Sequence, residues 1–113
     1  MAALKREKRI SGSEAINEIA RKGRRSGNEA FVIYVLESKT AGSRSAIVVS
    51  KKVDKRAVVR NRLRRQITEI LRENFAEIAR PVDVVIYVRP KIKNFNFNQL
   101  RTSLKNVLAS DSF

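Results

Sequence analysis

The residues with the most chemistry to offer are the cations between positions 51 and 72. Lys51, Lys52, Lys55, Arg56, Arg60, Arg62, Arg64, Arg65 and Arg72 are set against only Asp54 and Glu69 in that stretch. A guanidinium presents a planar fork of N–H donors that matches phosphates and base edges. Asn61, placed among these arginines, adds a neutral donor and acceptor. Most of this charge has no counter-charge within the segment, so an anion outside it is expected. Lys51, Lys52, Lys55 and Arg56 also precede the start of a predicted helix, whose N-terminus itself favours an anion.

The rest of the inventory argues against catalysis by the chain itself. There is no histidine and no cysteine. The usual general base, the usual zinc ligands and the ordinary nucleophilic triads are therefore excluded. The 11 acids are scattered, without a paired-carboxylate cluster of the two-metal kind. Asp83 lies in a predicted strand and reads as one half of a hydrogen bond or ion pair. Glu69 and Glu73 read as partners of Arg65 and Arg72 on one helix. Only four glycines occur and none are grouped, so no phosphate-cradling loop is present. No residue is assigned as catalytic or as a metal ligand. Phe31, Tyr34 and Tyr87 fall in predicted strands. For Phe31 and Tyr87 core packing is the first reading, and for Tyr34 core packing and nucleotide stacking stand side by side.

The totals bound the remaining choices. At 113 residues, 42% hydrophobic, the chain is expected to be one folded domain over residues 1–113. Its formal charge of +14 and pI near 11.1 call for an anionic partner, nucleic acid first and an anionic membrane surface second. The apolar run Phe31–Leu36 is about a third of a membrane span, and residues 1–10 hold no apolar stretch of signal-peptide length. A soluble, cytoplasmic protein without a membrane partner is expected. Helix-turn-helix spacing, zinc-finger spacing and a leucine zipper are all missing and no DNA partner is expected, although the residue chemistry by itself leaves RNA and DNA open.

Periodicity supplies the elements that must position the cations. Ser11 and Glu14 have capping-box spacing, and Ala15, Ile16, Ile19 and Ala20 share a face, which predicts a helix over roughly 12–22 ending at Gly23. Lys5, Arg6, Lys8 and Arg9 before it form a basic arm. Phe31–Leu36 and Ser45–Ser50 read as strands, and their short connection predicts an antiparallel hairpin. A long helix is predicted from Ala57 or Val58 to about Ala79, with Leu63, Ile67, Ile70 and Leu71 on its core side and Pro81 as its stop. Val82–Val88 is apolar on both faces and reads as a central strand. Asn98 is expected to cap a last helix carrying Leu100, Leu104, Val107 and Leu108. The fold class is α+β in the order α-β-β-α-β-α, with room for a further short strand near Arg24 to Asn28.

Ser50-Lys-Lys-Val53, then Val59-Arg-Asn-Arg-Leu-Arg-Arg65, then Glu69, resemble the signature of the bacterial ribonuclease P protein component. Leu4-Lys-Arg6, Phe31–Leu36 and Val84–Pro90 resemble its flanking segments. The resemblance implies a small, four-stranded sheet packed with three helices and a left-handed βαβ crossover. It implies a protein cofactor that supplies no catalytic group. The partners would be the ribonuclease P RNA, which carries catalysis, and precursor tRNA, whose 5′ leader is removed. Magnesium would sit at the RNA subunit and the RNA interface.

Two RNA surfaces follow from the resemblance. Lys51, Lys52, Arg60, Asn61, Arg62, Arg64 and Arg65 would bind the catalytic RNA. A cleft between the first helix and the sheet would hold the leader, with Ile16, Tyr34, Ser50, Lys52 and Arg89 as its residues. Ser50 and Lys52 are expected to share one strand face. The chain departs from the family pattern at Ile16 and Ala20, where phenylalanines are usual, at Asp54, where glycine is usual, and at Thr68, where arginine is usual. The alternative function is a structural RNA-binding protein such as a ribosomal one. A freestanding nuclease has little support in the residues.

Overall fold

Residues 82–88, Val-Asp-Val-Val-Ile-Tyr-Val, have no polar face, and such a strand is stable only with neighbours on both edges and cover on both faces. The computed structural model, which describes residue 10 and residues 12–38, 42–75 and 81–110, provides both. The elements are α1 (Ser13–Lys22), β1 (Arg24–Gly27), β2 (Phe31–Glu37), β3 (Arg44–Val48), α2 (Ala57–Phe75), β4 (Val82–Val88), a short 3-10 helix (Pro90–Asn94) and α3 (Phe97–Ser110). They build one four-stranded sheet in the order β1-β2-β4-β3. The further short strand near Arg24 is therefore present, as β1.

The expected hairpin between β2 and β3 does not form. β4 lies between them, antiparallel to β2 and parallel to β3. The connection from Ser38 to Ser43 crosses two strand spacings, about 10 Å, which six residues span with ease. Both ends of this connection bond to the start of β4. The Ser38 N–H donates to the Pro81 carbonyl at 3.0 Å, and the Val82 N–H donates to the Ser43 hydroxyl at 3.0 Å. β3, α2 and β4 thus form a strand–helix–strand crossover.

Helices cover both faces of the sheet. On one, Phe31, Ile33 and Val35 of β2 and Val84, Ile86 and Val88 of β4 pack with Ile67, Ile70 and Leu71 of α2 and Leu100, Leu104 and Leu108 of α3. Leu63 and Phe75 pack at the margin of this core. On the other face, Ile19 of α1 packs with Val85, Ala46 and Ile10.

Local boundaries differ from the periodicity in instructive ways. The predicted strand over 45–50 ends at Val48, because Ser50–Val53 forms a turn closed by the Val53 N–H on the Ser50 carbonyl at 3.1 Å. The last helix begins one residue before Asn98. Its cap is Asn96, whose side chain accepts from the Gln99 N–H while the Gln99 side chain accepts from the Asn96 N–H, both at 2.8 Å. Gly23 ends α1 in extended conformation, and a Cβ there would lie 2.6 Å from the Ile19 carbonyl oxygen and 3.0 Å from that of Val35. Close approach of α1 to β2, not a left-handed turn, is what requires glycine. The α1 N-cap is Gly12, at φ 92° and without a side-chain hydrogen bond. The capping box assigned to Ser11, the basic arm before residue 10 and the predicted helical residues 76–79 lie outside the described residues.

One buried charge fixes the β3 edge. Asp83, 5% exposed, receives two hydrogen bonds from Arg44 at 3.0 and 2.7 Å across the β3–β4 ladder. The same contact holds the Arg44 pKa above its ordinary value. Arg44→Ala leaves that carboxylate buried without a partner and is expected to lower stability by about 3 kcal/mol in urea unfolding. A loss below about 1 kcal/mol would mean that water satisfies Asp83 instead.

Candidate nucleic-acid interface

The cationic segment folds into a turn and the first turns of a helix packed against each other. Two arginines on successive turns of α2 make that junction. Arg60 Nη1 donates to the carbonyls of Asp54 and Lys55 at 3.0 and 2.9 Å. Arg64 donates to Asn61 Oδ1 at 2.6 Å and to the Val49 carbonyl at 3.4 Å. Residues four apart lie on one helix face, so Arg60 and Arg64 both turn toward the 49–55 segment. That brings Lys51 and Lys52 alongside the start of α2.

The outer stripe is different. Lys55, Val58, Asn61, Arg62 and Arg65 are exposed, and Val58 is 71% exposed in spite of its apolar side chain. Among the described residues, the side chains of Lys51, Lys52, Lys55, Arg62 and Arg65 have no ion pair or hydrogen bond. Arg72 is not available in the same way, since it pairs with Glu69. Glu73, expected to pair within α2, reaches Arg101 of α3 at 3.2 Å instead.

Asp54 organises the junction, and sequence reasoning did not single it out as a site residue. Its side chain is 4% exposed and pairs with Arg56 at 3.0 Å and with Lys93 at 3.0 Å. It also accepts the Arg56 backbone N–H at 2.8 Å. These contacts, the Arg56 side-chain hydrogen bonds foremost, hold the carboxyl well below the usual carboxylate range. The Arg56 guanidinium is raised in turn. An Asp two residues before an amide it accepts is a readable local signal. Lys93, in the 3-10 helix after β4, gives none in sequence.

The second surface is the α1 side of the sheet. Ile16, Tyr34 and Tyr87 pack at the margin of one cluster there, all half-buried. The tyrosine rings meet edge to face, with centroids 5.9 Å apart and an interplanar angle of 89°. Phe31 is fully buried on the opposite face and offers no stacking surface. Arg89 follows β4 in extended conformation, and its N–H continues the ladder to the Ala30 carbonyl at 2.8 Å. By strand alternation it shares the face of Tyr87, and it is exposed. Lys52 does not join this face. It lies in the turn, where its backbone N–H donates to the Ser50 hydroxyl at 3.3 Å, so strand alternation no longer relates the two residues. The structure thus groups Ile16, Tyr34 and Arg89 with Tyr87, and leaves Ser50 and Lys52 with the cationic turn.

Comparison with known proteins decides the family. The family model for ribonuclease P matches residues 4–110. The ribonuclease P protein component of Lactobacillus delbrueckii subsp. bulgaricus is 37% identical over 106 residues, covering 93% of this chain and 88% of that protein. That of Clostridioides difficile is 36% identical over 104 residues, covering 91% and 90%. The chain belongs to the ribonuclease P protein family. Solved structures agree. The RNase P protein of Staphylococcus aureus superposes with a TM-score of 0.82 at 31% identity, over 91% of this chain and 94% of that one. The RNase P protein from Thermotoga maritima superposes with a TM-score of 0.79 at 28% identity, over 93% and 98%. The chain is thus the protein subunit of a tRNA 5′-processing enzyme whose catalysis lies in its RNA. The comparisons give no support to the ribosomal alternative.

The effect of Asp54 on stability has a definite pH dependence. A carboxyl whose folded pKa lies below its unfolded value stabilises the fold above the unfolded pKa, about 3.9 for Asp. That contribution is lost as pH falls through the folded pKa. Asp54→Asn is therefore expected to be less stable than wild type at neutral pH, with the gap narrowing below about pH 4. Urea unfolding across pH checks this, and a gap independent of pH would assign the effect to packing.

Proposed function

We propose that the cationic junction of α2 grips the ribonuclease P RNA and that the open part of the α1-side sheet face holds the 5′ leader of precursor tRNA. One observation carries the first half. Arg62, Arg65, Lys51, Lys52 and Lys55 are exposed cations without protein partners among the described residues, on a scaffold that Arg60 and Arg64 fix by hydrogen bonds to backbone carbonyls. A guanidinium is itself a rigid fork, and with its backbone fixed it loses less freedom when it meets a phosphate. Asn61 stands among them as the neutral reader, oriented by Arg64.

The leader half rests on Tyr34, Tyr87 and Ile16 grouped on one face, with Arg89 one pleat beyond Tyr87. Tyrosine rings stack on bases with little sequence preference, which suits a leader of varied sequence. The aliphatic α1 contributes Ile16 as a hydrophobic contact and no ring, so stacking falls to the sheet.

Magnesium enters this reading only through RNA. Among the described residues no group of three or more acids, histidines or cysteines is assembled for a cation. Asp54, the acid nearest the cationic face, is held by Arg56 and Lys93. The chain's own residues bind and orient RNA, and the metal-dependent chemistry belongs to the RNA subunit. The reading sets the protein in the cytoplasm, and among the described residues no helix is long and apolar enough to cross a membrane.

The test is reconstitution with a cognate ribonuclease P RNA and precursor tRNA at low magnesium. Adding the protein is expected to raise cleavage or substrate affinity, and no effect would sink the reading. Replacing Arg62 and Arg65 together by alanine should weaken binding to the RNA subunit and reduce the slope of log K against log salt by about 2, near 0.9 for each phosphate left without its arginine. An unchanged slope would remove this face from the interface.

A further inference from the structure

Arg25 belongs to neither group of residues assigned above. In the β1–β2 ladder it lies directly opposite Tyr34. Directly opposed residues leave a sheet on the same face, with Cβ atoms about 5 Å apart. That face is the one carrying Tyr34, Tyr87, Ile16 and Arg89. Arg25 is exposed, and among the described residues its side chain has no ion pair, hydrogen bond or ring contact.

Its position is nonetheless well defined. Gly23 and Gly27 bracket it, and at each a Cβ would collide with backbone, 2.6 Å from the Ile19 oxygen and 2.4 Å from the Phe31 oxygen. β1 is thereby pressed against α1 at one end and the β2 start at the other. The backbone of Arg25 is fixed while its guanidinium is uncommitted, the same combination found for Arg62 and Arg65. β4, β2 and β1 are consecutive in the sheet, so Arg89, the tyrosine pair and Arg25 lie along one path across it. A polyanion on that path meets a cation at each end and rings between them. From Arg89, level with Ala30, to Arg25, opposite Tyr34, the path crosses two strand spacings and runs four residues along the strands, about 16 Å in all.

Resting on the leader reading of this face, we infer that Arg25 contacts a phosphate of the single-stranded RNA leader and defines the β1 end of its track. It is a binding residue, and it supplies by charge part of the hold that aliphatic α1 does not supply by stacking. The occupant is single-stranded RNA because a half-buried ring on a sheet face meets a base only when that base is unstacked from a duplex.

The experiment uses the reconstituted holoenzyme, with wild type, Arg25→Ala, Arg25→Lys and Tyr34→Ala, against precursor tRNA and leaderless tRNA over a range of salt. Arg25→Ala is expected to weaken precursor binding about fivefold at low salt, as for one exposed charge contact. It should lower the salt slope by about 0.7, as for one single-strand phosphate. Binding of leaderless tRNA and of the RNA subunit should not change, and Arg25→Lys should keep the wild-type slope. If Arg25→Ala binds precursor with wild-type affinity and slope while Tyr34→Ala loses leader discrimination, Arg25 is not a contact and the leader face stands. If Arg25→Ala weakens precursor and leaderless tRNA equally, its role is structural and the inference fails. If the wild-type holoenzyme does not distinguish the two RNAs, the leader reading fails and Arg25 with it.

Discussion

Along β4, every side chain from Val82 to Val88 is buried except Tyr87, which is half-buried. The rest of the fold answers to that constraint. A strand of this kind needs a partner on each edge, and β2 and β3 supply them. It needs cover on each face, and α2 with α3 on one side and α1 on the other provide it. Its one charged residue, Asp83, needs a counter-charge at a fixed register, and Arg44 ties β3 in parallel beside it. A parallel neighbour in turn demands a crossover, and α2 is that crossover. The cationic segment is therefore where it is because β4 is central. The turn of residues 49–55 leaves the β3 edge and must double back immediately into α2.

The charge of +14 is handled in two ways. Arg44, Arg56, Arg60, Arg64, Arg72, Lys93 and Arg101 are bound to acids or backbone carbonyls and act as structural donors. Arg25, Arg62, Arg65, Arg89, Lys51, Lys52 and Lys55 have no such partners among the described residues and are exposed. Apart from Arg72, which pairs within α2, the first set sits at the joints around the elements, and the second projects from what those joints hold rigid. Asp54 belongs to this arrangement. By taking up Arg56 and Lys93 it joins the entrance of α2 to the exit of β4. Self-repulsion at the crowded end of α2 is eased by one buried acid, where the neighbouring cations leave little other compensation.

Much of this was legible in the sequence, and the failures have physical causes. The core seam of α2, the central character of β4 and the burial of Phe31 all follow from short-range periodicity, which a sequence carries directly. The β2–β3 hairpin was wrong because connection length limits reach without choosing a neighbour. Strand order is decided by which strand most needs burial, and Val82–Val88 comes late in the chain. The strand face expected to join Ser50 and Lys52 does not exist: alternation was carried past Val48 into a turn. The cap at Asn96 was missed by two residues because Asn96 and Asn98 are equivalent in type, and only the Gln99 amide distinguishes them. The Asp54–Lys93 contact joins residues from different elements and leaves no local mark. The division of the arginines into bound and free was invisible for the same reason: each guanidinium is alike until a carbonyl or carboxylate lies within its reach.

The two proposed RNA surfaces differ in shape, and the difference suits different forms of RNA. The start of α2 is convex and presents forks on successive turns, a geometry that follows phosphates on the outside of a folded RNA without needing access to bases. The α1 side of the sheet carries two half-buried rings set at 89°. Perpendicular rings cannot both lie flat on the same base. One of them stacks and the other meets that base, or the first ring, by its edge. Such a pair holds a single unstacked base in a defined orientation better than it holds a continuous stack. Binding there depends less on charge than binding at α2, with Arg25 and Arg89 as the exposed, unpaired strand cations of that face among the described residues. A protein with these two surfaces grips a large structured RNA mainly through counterion release and a flexible strand mainly through stacking. Rising salt therefore loosens the first contact more steeply than the second.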